Sequence, residues 1–167
     1  NLKSELSIDS QELLSLIEKT RFAISSEETR YFLNGIYFHK NKDTNDDVLT
    51  MVATDGHRLA KIEYTYSNNL EDLPGVIIPK KTINELCKLL SDCNNSIKIN
   101  LDPNKIIFYI DKTVLISKLI DGNFPDYERV IPKNNDNILT LKRNIFCEAI
   151  DRVSTIIDEK SPSIKFK

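Results

Sequence analysis

The hydrophobic positions along the chain follow two different spacings, and each spacing predicts a different element. Every third or fourth residue is apolar over 10–23 and again over 81–90, which predicts two amphipathic α-helices. Short apolar runs and alternating positions predict strands at 6–8, 31–40, 48–54, 57–66, 76–78, 97–101, 106–110 and 114–120. A polar connection is expected at 41–47. The predicted order is strand, helix and three strands, followed by the same five elements again.

The chain repeats itself at two distances. The second predicted helix aligns with the first at a shift of 73 residues, and 139–157 follows the pattern of 6–24 at a shift of 133. A unit of this size matches an ordinary domain. We therefore predict one complete domain at 1–136, and the first strand and helix of a following domain at 137–167. That last helix is expected to pack on the first unit, on a partner, or on chain beyond this sequence.

Two helices packed on one face of antiparallel sheets give an α+β fold. The outer faces of the helices would then form one surface, with positive charges supplied by Lys19, Arg21, Lys80, Lys81 and Lys88. Such a surface is either an ordinary solvated helix face or one that follows a phosphate backbone without reading bases. The pattern of residues leaves both interpretations open.

A tight turn provides a second candidate site. Asp55-Gly56 lies between two predicted strands, and both residues tolerate positive φ, which favours a two-residue hairpin. The hairpin would hold Thr54, His57 and Arg58 together at one end of a sheet. Three polar side chains in that arrangement form either a binding site or an ordinary turn.

Composition narrows the possible functions. The net charge is −2, so nucleic-acid binding would have to come from a local patch. No apolar run is long enough to span a bilayer, and we expect no signal peptide at the start of the chain. Three cysteines without metal spacing suggest reduced cytoplasmic thiols. The two histidines, His39 and His57, belong to no catalytic triad. We expect neither an enzyme nor a bound metal or cofactor.

Four stretches closely resemble signatures of the bacterial DNA polymerase III beta subunit, the sliding-clamp family. They read Ala53-Thr54-Asp55-Gly56-His57-Arg58-Leu59-Ala60, Asp121-Gly122-Asn123-Phe124-Pro125-Asp126-Tyr127-Glu128-Arg129-Val130-Ile131-Pro132, Arg30-Tyr31-Phe32-Leu33-Asn34-Gly35 and Pro79-Lys80-Lys81. The resemblance implies the DNA-clamp fold of duplicated β-α-β-β-β half-domains, here the middle domain and the start of the third. It also implies a non-catalytic, cytoplasmic processivity factor. Two protomers of three domains would form a ring around duplex DNA, without sequence specificity, and bind the polymerase, the clamp loader and repair proteins.

The resemblance also implies two sets of site residues. A hydrophobic pocket for short partner peptides would be lined by Leu33, Thr54, Gly56, His57, Arg58, Leu59, Pro125, Arg129 and Val130. A DNA-facing surface would comprise Lys19, Arg21, Glu27, Tyr31, Phe32, Lys80, Lys81 and Lys88. The other wall of the pocket is expected from the family's extreme C-terminus, outside this sequence.

This chain departs from the family pattern at three positions. Glu27 stands where a neutral polar residue would suit a phosphate better, and Asn123 and Glu128 occupy positions that are often basic. All three departures weaken the local positive charge. Two alternatives stay open: a structural α+β interaction module with no DNA role, and an enzyme that depends on His57.

Overall fold

The computed structural model describes residues 4–41, 47–66, 73–102, 104–157 and 163–166. The chain divides into two compact units, Asn1–Pro125 and Asp126–Lys167. Most of the polar connection expected at 41–47 lies outside the described residues. None of the helices in the described ranges is long and apolar enough to cross a membrane.

The first unit contains the predicted elements in the predicted order. Its described residues form β1 (Ser4–Asp9), α1 (Ser10–Glu18), β2 (Gly35–Lys40), β3 (Val48–Thr54), β4 (Leu59–Thr65), β5 (Val76–Pro79), α2 (Lys80–Ser91), β6 (Ser96–Asp102), β7 (Lys105–Ile110) and β8 (Thr113–Lys118). The α+β fold with two β-α-β-β-β halves is therefore confirmed.

The strands form two four-stranded antiparallel sheets, in the orders β1-β6-β7-β8 and β4-β3-β2-β5. Each half of the unit contributes its last three strands to one sheet and its first strand to the other. Leu6 of β1 lies opposite Ile99 of β6, and Ile36 of β2 lies opposite Ile78 of β5. Because of this exchange, neither half can complete its sheet alone.

The apolar stripes of the two helices lie in the core with the inner sides of the strands. Leu13 and Ile17 of α1, and Ile83, Leu86 and Leu90 of α2, are at most 1% exposed. The two helices contact each other. With their apolar sides buried in this way, the polar sides of both helices are left exposed at the surface.

The first helix ends earlier than predicted. The sequence pattern predicts a helix to residue 23, but α1 stops at Glu18 and a 3-10 helix follows at Arg21–Ala23. The Thr20 hydroxyl donates to the Leu16 carbonyl at 3.0 Å, and the Thr20 amide bonds the carbonyl three residues back. Threonine side chains compete for backbone partners in this way and tighten the last turn of a helix.

Two predicted strands begin later than expected. The strand predicted from residue 31 begins at Gly35, because Tyr31–Leu33 forms a 3-10 helix. The strand predicted from residue 57 begins at Leu59. Both errors fall on segments where short-range hydrogen bonds replace strand pairing.

In the second unit, a 3-10 helix lies at Tyr127–Arg129 and α3 spans Arg143–Ser154. The strand predicted at 139–141 is wrong: these residues are exposed and have no regular structure. A strand requires a hydrogen-bonded neighbour, and no described segment pairs with them. None of the residues of α3 is buried. The domain boundary at 136 stays a prediction.

Candidate functional site

The hairpin that joins β3 to β4 is wider than the sequence predicts. The last strand pair joins Thr54 to Leu59, which leaves a loop of four residues, 55–58. Gly56 has a φ of +88°, whereas Asp55 does not take a positive φ. The two-residue turn with both residues at positive φ is therefore wrong. Gly56 is still required, because a side chain is strained at this φ.

Side chains within the loop satisfy its backbone. Thr54 Oγ1 accepts from the Gly56 amide at 3.1 Å and donates to the Arg58 carbonyl at 2.7 Å. Asp55 Oδ1 accepts from the amides of His57 and Arg58, both at 3.0 Å. These bonds explain the wide loop, because an aspartate that caps two amides needs the extra residues.

The charge of Asp55 is stabilised by the same bonds. The amides of Arg58 and His57 lower the pKa of its carboxyl to about 2. Asp55 Oδ2 also accepts from Arg58 Nε at 3.1 Å. Thr54 and Asp55 therefore act inside the hairpin, while the side chains of His57 and Arg58 are exposed beside it.

Phe22 lies under Arg58 and extends the site. The Arg58 guanidinium carbon lies 5.7 Å from the centre of the Phe22 ring, within the range of a cation–π contact. Phe22 is 55% exposed, which is high for a large aromatic side chain. It is not among the predicted site residues, because the periodic pattern assigns it only to the outer face of a helix.

Arg30 is the second residue absent from the predicted site. A Cβ built on Gly56 would fall on a terminal nitrogen of the Arg30 guanidinium, so this side chain lies directly against the hairpin. Glu27 holds the guanidinium with two bonds, Nε to Oε2 at 2.7 Å and Nη2 to Oε1 at 2.6 Å. The motif at 30–35 is the signal that could have pointed to Arg30.

The apolar residues of the predicted pocket differ in accessibility. Leu33 is only 4% exposed, so it belongs to the core more than to an open wall. Leu59 is half-buried and Pro125 is exposed. The structure therefore places Leu33 beneath the surface and leaves Leu59 and Pro125 accessible within the first unit.

The segment before Pro125 packs on the same part of the first unit. A Cβ on Gly122 would lie 3.1 Å from Phe32 Cβ and 3.4 Å from a Tyr31 ring carbon. The Phe124 ring stacks on Tyr37 with centroids 4.9 Å apart. The segment that leads to Pro125 is thereby attached to the 3-10 helix Tyr31–Leu33 and to β2.

The last two predicted pocket residues belong to the second unit. Arg129 ends the 3-10 helix at 127–129, and its Nε lies 2.7 Å from Asp126 Oδ2. Val130 follows and is 68% exposed. Their roles in a pocket stay predictions.

The predicted DNA-facing surface begins on the two helices. Lys19 caps α1, and Lys81 and Lys88 lie seven residues apart on the exposed side of α2. Lys88 pairs with Glu85 at 3.0 Å. Arg21 lies close to Cys87 of α2: burial raises the pKa of that thiol and the nearby Arg21 charge opposes the shift.

The loop before β2 adjoins the start of α2. Lys80 Nζ donates to Ser26 Oγ at 2.7 Å, and the Lys80 amide donates to the Asn34 carbonyl at 2.9 Å. Tyr31 is 53% exposed and meets Phe32 edge-on at 5.8 Å. Lys80 is therefore brought to the loop that carries the predicted residues Glu27, Tyr31 and Phe32.

The described residues offer no candidate metal site. No group of three or more His, Cys, Asp or Glu side chains converges in the described ranges. Cys87 and Cys93 are buried and Cys147 is exposed, and all three are free thiols. His39 Nδ1 lies 2.8 Å from the Lys40 carbonyl, and its ring stacks on Tyr37.

Comparison with known proteins identifies the family. The profile of the DNA polymerase III beta subunit, central domain, matches residues 7–126. The beta sliding clamp of Caulobacter vibrioides is 48% identical over 164 residues, which cover 98% of this chain and 44% of the relative. The beta sliding clamp of Rickettsia bellii is 40% identical over 169 residues, which cover 99% and 43%.

Solved structures agree. The crystal structure of a DnaN sliding clamp from Bartonella birtlesii, bound to griselimycin, superposes with a TM-score of 0.91 at 45% identity. The match covers 97% of this chain and 44% of that structure, so the chain spans less than half the length of the relatives it matches. The profile match over 7–126 places the chain in the DNA polymerase III beta subunit family, with these residues as the central domain.

Proposed function

We propose that this chain contains the central domain of a sliding clamp, a ring that encircles duplex DNA and tethers DNA polymerase III to its template. The observation that carries the proposal is the family match over 7–126, together with the half-domain exchange of strands seen in the fold. The complete ring would be a head-to-tail homodimer of three-domain protomers in the cytoplasm. Residues 137–167 would begin the domain that follows.

The charge distribution suits a ring that slides. Lys19, Lys81 and Lys88 are exposed on the helices, but Glu12, Glu18 and Glu85 are exposed there too. Phosphate contacts of this kind are independent of sequence and weaken with salt. A protein linked to DNA by its topology needs no tight grip, so a chain with a net charge of −2 can serve. The role is accessory, and we assign it no catalytic step.

We infer that the hairpin side of the unit binds short hydrophobic peptides from the polymerase, the clamp loader and repair proteins. Leu59 and Pro125 would contribute accessible apolar surface, and His57 and Arg58 would contribute polar contacts at the rim. Binding sites of this kind combine apolar anchors with a few fixed polar groups. In support, a relative of this chain binds a ligand: the sliding clamp of Bartonella birtlesii was solved bound to griselimycin.

Replacing Arg58 with alanine tests the peptide site. We expect the affinity for a short acetylated hydrophobic peptide to fall about five- to tenfold, because arginine is among the residue types whose truncation costs most at interfaces. The fold should survive, because Asp55 Oδ1 still accepts from the two loop amides. The dissociation constant can be measured by titrating the peptide and recording the chemical shifts of the hairpin amides, which report binding even when the affinity is only millimolar.

The matched control is Lys112→Ala, which removes an exposed cation at the turn between β7 and β8. It should leave peptide affinity unchanged, and equal affinities for the Arg58 variant and the wild type would argue against the site. Leu33→Ala is a poor substitute: Leu33 is buried, and truncating a buried leucine costs about 2–5 kcal/mol of stability.

A further inference from the structure

The backbone of Glu27 is held from both sides. Its amide donates to Ser25 Oγ at 3.1 Å, and its carbonyl accepts from Asn34 Nδ2 at 3.0 Å. The Ser25 amide in turn donates to the Leu33 carbonyl at 3.1 Å, which closes the loop. The side chain of Glu27 therefore extends from a fixed point.

That side chain is committed to Arg30. Both carboxylate oxygens accept from the guanidinium, at 2.7 and 2.6 Å. Paired parallel bonds of this type fix the orientation of both groups. The bond from Arg30 is the main cause that lowers the pKa of Glu27, and the reciprocal bond is the main cause that raises the pKa of Arg30.

Arg30 reaches the hairpin because Gly56 has no side chain. A Cβ on Gly56 would collide with the guanidinium, and the φ of +88° also favours glycine there. Glu27, Arg30 and the 55–58 loop therefore form one continuous set of contacts within the first unit.

The two bonds to Glu27 occupy only part of the guanidinium. An arginine has five N–H donors, and Glu27 takes one from Nε and one from Nη2. In the described residues, the remaining donors lie beside Gly56, on the hairpin. They could donate to backbone carbonyls of an extended peptide, whereas the carboxylate of Glu27 would repel a phosphate.

We propose that Glu27 is a positioning residue of the peptide pocket, which holds Arg30 against the hairpin so that the guanidinium meets carbonyl groups of the bound peptide. This inference rests on the proposed peptide-binding function. The family resemblance implies that Glu27 belongs to the DNA-facing surface, so the positioning role proposed here is a different one.

The test compares Glu27→Gln with Glu28→Gln. Both changes remove one negative charge from the same exposed loop, but only the first alters the partner of Arg30. With the peptide described above, Glu27→Gln should bind about two- to fivefold more weakly, the range for an exposed ion pair. Glu28→Gln should bind like the wild type. High salt should reduce the difference, because exposed charges are screened.

A double-mutant cycle separates positioning from a general structural effect. In an Arg30→Gln background, the further change Glu27→Gln should no longer alter affinity, because the two residues act as one unit. Equal affinity of Glu27→Gln and the wild type, or an undiminished effect in the Arg30→Gln background, would overturn the positioning role of Glu27. Neither result would argue against the peptide pocket. A protein that also carries the C-terminal wall expected from the family, and still binds no peptide, would overturn the peptide pocket itself.

Discussion

Replacing Gly35 with alanine is expected to destabilise the first unit by about 3 kcal/mol, at the upper end of typical overpacking effects. Gly35 begins β2 and lies opposite Pro79 of β5. A Cβ there would collide with the Ile78 carbonyl oxygen, which is backbone and cannot rotate away. Strands β2 and β5 would have to separate. Their pairing is the one by which the second half of the unit completes the sheet of the first half.

Urea denaturation followed by circular dichroism measures this loss. Gly122→Ala is the matched control: its Cβ would lie 3.1 Å from Phe32 Cβ, a contact that a shift of a few tenths of an ångström relieves, and Gly122 is exposed. The control should unfold close to the wild-type midpoint. Equal midpoints for Gly35→Ala and the wild type would show that β2 and β5 are not paired as described.

Reversing three lysines on the helices is expected to abolish most of the DNA affinity. The triple change Lys19→Glu, Lys81→Glu and Lys88→Glu lowers the formal net charge from −2 to −8. If each lysine neutralises one phosphate, the negative slope of log affinity against log salt should become shallower by about three. The Lys88 change also replaces the ion pair with Glu85 by two like charges three residues apart.

Fluorescence anisotropy with a labelled duplex at several salt concentrations gives this slope. The control is Lys98→Glu, Lys105→Glu and Lys118→Glu, which changes the net charge equally on the outer face of the β6-β7-β8 strands. The control triple should retain most of the affinity. An equal loss in both triples would favour a structural module without a DNA surface on its helices.

The order of elements could be predicted because the two hydrophobic spacings differ clearly. Both bounds of β3, Val48–Thr54, follow from the sequence, because this stretch is a continuous run rich in strand formers and Asp55 comes directly after it. The errors at Thr20 and at Tyr31–Leu33 arise from local hydrogen bonds, which apolar spacing does not report. The prediction of a strand at 139–141 was wrong because a hydrophobic pattern cannot show whether a pairing partner is present.

The candidate site was only partly predictable. The Asp-Gly pair located the hairpin, and family motifs indicated the residues around it. The contact of Arg30 with Gly56, and of Phe22 with Arg58, joins segments that are distant in sequence. Such contacts depend on how residues 21–34 fold against the hairpin, and no spacing along the chain encodes them.

In the proposed function, the helices and the hairpin are separate binding surfaces of one domain. Amide chemical shifts of the labelled chain, titrated separately with duplex DNA and with the peptide, test it most directly. We predict that DNA shifts amides of Ser10–Glu18 and Lys80–Ser91, and that the peptide shifts those of 54–59. If both ligands shift one common set of amides, or if DNA shifts only amides on the outer face of the sheets, the helices and the hairpin are not separate binding surfaces.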